Sequence, residues 1–154
     1  MFRNALIAGL FALAPVISNA QELIYAEDPQ IVAALIEDNG FPAEIGVDNV
    51  GDPMITSAAH GYDFFVYFYD CTDNVDCQAV QFNTTFDMVS GLSLTRAQDF
   101  NKERRWVKVY LDDENDPRVE MDYNLRGGVS ADNFNDTLDW WQLMMGEFVS
   151  YIDF

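Results

Sequence analysis

Residues 62–70 read Tyr-Asp-Phe-Phe-Val-Tyr-Phe-Tyr-Asp, and no other stretch constrains the fold as tightly. Aromatic and β-branched side chains at this density fit a pleated, half-buried strand. Cys71 and Cys77 follow, then a second strand pattern over Gln78–Thr84. Placing Cys71 opposite Cys77 sets one antiparallel register. Phe68 then meets Val80, Val66 meets Phe82 and Phe64 meets Thr84 on a core face. Tyr69 meets Ala79, Tyr67 meets Gln81 and Phe65 meets Asn83 on a face that is aromatic but partly polar. A slip of one residue would exchange the two faces, so the cysteine pair and the apolar pattern support the same register. The spacing is not the CxxC of a thiol oxidoreductase. Two cysteines this close read as a structural disulfide where the compartment is oxidising.

The other elements follow from caps and periodicity. Asp28-Pro29 opens a helix carrying Ile31, Val32, Leu35 and Ile36, and Gly40 ends it. Residues 43–47 alternate as a strand, and Pro53–Ser57 is a short second strand after the Asn49–Asp52 turn. A helix capped by Thr95 spans Thr95–Glu103. Arg105–Leu111 and Arg118–Leu125 form a hairpin, read with Leu111 opposite Val119, Val109 opposite Met121 and Val107 opposite Tyr123. That register pairs Lys108 with Asp122 and Asp112 with Arg118 on the reverse face. Ser130 caps a long last helix whose core stripe is Phe134, Leu138, Trp141, Met145, Phe148 and Ile152. The order is α-β-β-β-β-α-β-β-α. It predicts an α+β domain with an antiparallel sheet and helices packed on one face.

The first twenty residues form a different unit. Arg3 is a positive start, Ala5–Ile17 is apolar, and Ser18-Asn19-Ala20 supplies small residues at −3 and −1. This is the pattern of a cleaved secretory signal, with cleavage expected after Ala20 and a periplasmic destination. The apolar run is short for a bilayer, which needs roughly 20 such residues. Residues 21–154 are then one domain, with no further run long enough to span a membrane. The whole chain carries 26 Asp and Glu against 8 Lys and Arg. That balance argues against nucleic acid and anionic membranes as partners, since both select basic clusters.

Five stretches, Phe64–Cys71, Cys77–Phe82, Asp99–Trp106, Val109–Asp113 and Leu125–Ser130, resemble the YbjN-domain family of bacterial sensory transduction regulators. The aromatic last helix extends the likeness. The resemblance implies a fold similar to type III secretion chaperones, small acidic α+β proteins that pair and bind extended peptide segments. It implies no defined biochemical activity, and the export signal departs from the family's cytoplasmic members.

Candidate chemistry is sparse. Asp112–Asp116 gathers oxygen ligands, but Pro117 and Tyr123 stand where a calcium loop needs Gly and Glu. Asp70, Asp73 and Asp76 lie in the cysteine loop and read as a polar hairpin tip. His60 is the one histidine, and no nucleophile context accompanies it. No metal and no cofactor is expected. Arg104, Arg105 and Lys108, near Trp106 and joined by Arg96 and Lys102, form a candidate basic docking segment. Phe65, Tyr67 and Tyr69 on one strand face, with Trp140, Met144 and Tyr151 on the last helix, exceed what one core needs. Such residues are enriched at interfaces. The reading is a non-enzymatic module that binds a protein or peptide, as a homodimer. The alternatives are a periplasmic small-ligand or cation-binding module using the acidic tips, and an enzyme of undefined type. Intact mass of the exported protein should show a chain beginning at Gln21. A species that retains residues 1–20 in the periplasmic fraction would contradict signal cleavage.

Overall fold

The computed structural model describes residues 23–154. The expected signal segment and its cleavage point after Ala20 lie outside the described residues. The described chain is an α+β domain with three helices, a six-stranded antiparallel sheet and a two-stranded sheet.

The sequence reading set the order of the main elements. Helix α1 (Pro29–Asp38) starts where the Asp28 carboxylate accepts from the Gln30 amide, and it ends at Gly40, φ +87°. Strands β2 (Glu44–Val47), β3 (Pro53–Ala59), β4 (Tyr62–Tyr69) and β5 (Ala79–Thr85) follow, then α2 (Leu94–Glu103), β6 (Lys108–Leu111), β7 (Pro117–Asn124) and α3 (Ala131–Ile152). Their spatial order is β2-β3-β4-β5-β7-β6. Two short strands, β1 (Leu23–Ile24) and β8 (Val129–Ser130), pair beside the start of α3. Their two-residue length gives no period for the sequence to display.

The β4–β5 register is the one the cysteines imply: Phe65 opposite Asn83, Val66 opposite Phe82, Phe68 opposite Val80. Cys71 and Cys77 are joined. The loop between them is a small hairpin, Thr72 bridging Val75, with Asp73 and Asn74 both at positive φ. Asn74 reaches across to the β2–β3 turn, donating to Asp52 Oδ1 at 2.8 Å.

Two expectations are corrected. The cap of α2 is Ser93, whose hydroxyl accepts from the Arg96 amide, not Thr95. Either residue can cap, and the chain direction after Leu92 decides between them. The β6–β7 hairpin is displaced by two residues, with Val109 opposite Val119 and Lys108 opposite Glu120. The cause is the turn. Asp112 Oδ1 accepts from the Glu114 and Asp116 amides, and Asn115 takes φ +65°. The loop closes early and brings Pro117 into the ladder opposite Leu111. A shift of two preserves the faces, so the inward residues stay inward.

The core lies between one sheet face and the helices. Trp141 of α3 stacks on Phe82, ring centres 5.6 Å apart, and meets Phe64 edge-on at 5.8 Å. Phe148 packs on Phe86 and Phe100. Each such burial is worth about 1.5–3 kcal/mol. The sheet register therefore rests on packing as well as on the bridge. Replacing both cysteines with Ser should lower stability by only about 2 kcal/mol, because the bridged loop is short. Urea denaturation would show this; collapse of the fold would mean that the bridge holds the register alone.

Candidate interaction surface

Alternation along β4 sends Phe64, Val66 and Phe68 into the core and Phe65, Tyr67 and Tyr69 to the other side. Among the described residues no helix covers that side. Phe65 and Tyr67 are half-buried, with ring centres 6.0 Å apart, and Tyr69 is 46% exposed. Beside them lies a polar network centred on Glu120 of β7, whose side chain is 8% exposed. Its Oε1 accepts from Asn83 Nδ2 at 2.9 Å and from the Tyr110 hydroxyl at 2.6 Å, and its Oε2 pairs with Lys108 Nζ at 2.8 Å. A buried carboxylate needs such partners to offset its lost hydration. Gln81 donates to Asp122 in the next row.

This network shifts its neighbours. The hydrogen bond to Glu120 raises the Lys108 pKa above 10.5. Burial, then the Glu120 hydrogen bond, raises Tyr110 above 10.0. Burial, then the Glu120 charge, does the same to Tyr69.

The helix residues singled out with this face lie elsewhere. Helix α3 packs on the core side of the sheet, so Trp140, Met144 and Tyr151 are separated from Phe65, Tyr67 and Tyr69 by the sheet itself. Met144 is 4% exposed, an interior residue rather than a surface one. Trp140 packs against Trp106 at 5.5 Å, and Tyr151 against Phe100 at 5.3 Å with Arg96 over its ring.

The basic segment is also divided. Arg104 pairs with Glu147 of α3, and Lys108 pairs with Glu120 on the open sheet face. Arg105 is exposed and in no ion pair among the described residues. Trp106 between them is 55% exposed at φ +77°, a conformation rare for an aromatic residue.

His60 and Gly61 form the two-residue β3–β4 turn, both at positive φ. His60 Nε2 lies 2.9 Å from the Gln142 carbonyl, which can only accept, so Nε2 carries a proton. The ring rests on Gly146, where a Cβ would come within 2.9 Å of it. Among the described residues His60 bonds no Ser, Cys or carboxylate. An open groove of about 590 Å³ runs past it, lined also by Arg104, Leu143, Glu147 and Tyr151.

The acidic tip of the β6–β7 hairpin is occupied by the backbone. Asp112 is held below its ordinary pKa, first by the Asp116 amide. Asp116 accepts from the Met88 amide. Among the described residues no group of three or more His, Cys, Asp or Glu is placed to hold a metal ion.

The fold and these surfaces define a small α+β domain with an antiparallel sheet, one face of which no helix covers among the described residues. A family model matches residues 28–154, and the chain belongs to the YbjN family, described as "Putative bacterial sensory transduction regulator". That description names a regulator, not an enzyme. No curated protein and no solved structure matches the chain.

The sequence reading did not single out Glu120 or Tyr110. The displaced hairpin register hid them; with Lys108 opposite Glu120, the buried pair becomes visible. The raised pKa values carry a sign. The native state holds these protons more tightly than the unfolded chain, so their contribution is complete below pH 10 and fades as pH rises through the folded values. Melting temperature should fall as pH rises above about 10, and the fall should be shallower in Lys108→Met and Tyr110→Phe. Identical slopes in all three proteins would contradict the Glu120 network.

Proposed function

We propose that this YbjN-family chain is an exported, non-enzymatic regulatory module. It binds a protein or peptide on the open face of its sheet, with a second copy of the chain as the first partner of that face. The observation that carries the reading is the aromatic row Phe65, Tyr67 and Tyr69 beside the Glu120 network, with no element over it among the described residues. Tyr and Phe give large contact areas at low entropic cost, and a satisfied polar network beside them fixes orientation.

Export is supported by the signal pattern of residues 1–20 and by the joined Cys71 and Cys77, which suit an oxidising compartment. Among the described residues no helix is long and apolar enough to cross a membrane. The non-enzymatic reading is supported by the family description and by the setting of His60, whose protonated nitrogen serves a helix carbonyl.

A homodimer of so acidic a chain works against its own charge. Its affinity should rise with salt, because screening weakens the repulsion between copies. Sedimentation equilibrium at low and high salt tests this. The expected result is a dimer that strengthens with salt and is weakened about tenfold or more by Phe65→Ala or Tyr67→Ala. A monomer at every concentration and salt would remove the dimer. A dimer indifferent to both substitutions would place its interface elsewhere.

A further inference from the structure

Residues directly opposite one another in an antiparallel pair point to the same side of the sheet. The registers therefore lay out the open face in rows. One row runs from Glu44 of β2 through Thr56, Phe65 and Asn83 to Glu120 of β7, and the next runs from Gly46 through Met54, Tyr67 and Gln81 to Asp122.

These rows sort the face into three bands. The middle band is apolar: Met54, Phe65 and Tyr67 are half-buried and Tyr69 is exposed. On the β2 side, Glu44 is exposed and in no ion pair among the described residues. Asp48 follows β2 on the same side, its Oδ1 accepting from the amides of the β2–β3 turn. On the β7 side, the Asp122 side chain is 69% exposed. Tyr69 feels both sides: its pKa is raised by burial first, then by the charges of Glu120, Tyr67, Asp122 and Asp48. Two cations share the face, both at its β6–β7 end and both engaged. Lys108 lies 2.8 Å from Glu120 and 3.8 Å from Asp122, and Arg118 lies 3.6 Å from Asp112.

The dimensions select an occupant. Strands lie about 4.8 Å apart, so the carboxylates of β2 and β7, four spacings apart, stand roughly 19 Å from each other. Phe65 to Tyr69 covers about 13 Å along β4. An α-helix with its side chains is about 10–12 Å across, and nine of its residues cover about 13 Å. Laid along β4, such a helix fills the apolar band, and Lys or Arg stems on its two flanks reach outward to the acids. An extended segment sends alternate side chains toward the sheet and away from it, so it would cover the apolar band without flanking cations.

We propose that the open sheet face docks a basic amphipathic helix of a partner protein, its apolar stripe on Met54, Phe65, Tyr67 and Tyr69, and its Lys or Arg side chains reaching Glu44 and Asp48 on one flank and Asp122 on the other. The proposal rests on the reading of this face as the binding surface and names the partner's chemistry. A cation beside Tyr69 also meets the electron-rich face of its ring. A second copy of the chain brings carboxylates against carboxylates, whereas the helix brings cations. Low salt therefore favours the helix and high salt the dimer.

The probe is a fluorescein-labelled, end-blocked peptide of about 14 residues, roughly four helical turns, read by fluorescence anisotropy at low and at high salt. It holds equal numbers of Leu and Lys, with Leu at helical spacing on one face. One control alternates the same Leu and Lys residues, and a second carries Glu in place of Lys. The helical Lys peptide should bind at low salt and weaken as salt rises. The alternating peptide should bind about tenfold more weakly and the Glu peptide not at all. Tyr67→Ala should weaken the helical peptide by about tenfold or more, and Tyr69→Ala, at an exposed position, several-fold. Glu44→Gln/Asp122→Asn should also weaken it several-fold, whereas Asp136→Asn/Asp139→Asn, which removes the same charge from α3 behind the sheet, should leave it nearly unchanged.

No binding of the helical peptide overturns the proposal, and so does equal binding of the alternating one. Equal weakening by the two double variants overturns it by reporting diffuse attraction, and indifference to both tyrosine substitutions overturns it by placing the peptide elsewhere. In each case a dimer weakened by Phe65→Ala leaves the open-face reading standing and removes the helix alone. A dimer indifferent to that substitution removes both.

Discussion

Trp141 lies flat against Phe82 and edge-on to Phe64, joining the last helix to the two central strands at one point. The rest of the domain is arranged around that contact. Because α3 covers the Phe64 side of the sheet, Phe65, Tyr67 and Tyr69 are left on the side that no described helix reaches. The core stripe Phe134, Leu138, Trp141, Met145 and Phe148 runs through one helix, so one long element fills the space that several short ones would otherwise share. The uncovered aromatic face is thus a geometric consequence of where the core is, not a separate feature added to it.

That face stays ordered because its charge is satisfied from within. Glu120 is nearly buried yet has three partners, one from each flanking strand side chain, Asn83 and Tyr110, and one from Lys108. An apolar patch beside a satisfied ionic network can be desolvated by a partner without stranding a charge. The two sheet edges show the same economy in reverse. Asn101 closes the outward backbone groups of Val109 at one edge, whereas β2 stops short at the other, beside three carboxylates, Glu37, Glu44 and Asp63, that form no ion pair among the described residues.

Much of this was legible in the residues. Asp28-Pro29, Gly40 and Ser130 marked helix ends because caps act through their nearest neighbours. The β4–β5 register was legible because the cysteines and a strict two-residue alternation constrain the same quantity. The β6–β7 register was not, because two placements differing by two residues bury the same faces and both offer opposite charges to Lys108. The choice lay in the Asp112 turn, where side-chain bonds to backbone amides shorten the loop. The place of Met144 is not legible in the sequence, because a second apolar stripe on a helix looks the same whether it meets a partner or packs inside.

The sequence by itself determined the element order, the disulfide, the core stripe of α3 and the acidic character of the surface. These depend on local chemistry and on period, which one strand or one helix already contains. Only the tertiary structure decided which aromatic residues stay open, where Arg104 and Lys108 find their partners, and that Glu44 and Asp122 flank one aromatic strip. Those residues come from different elements, and the distance between them is set by how the helices and strands pack, a quantity no local pattern encodes.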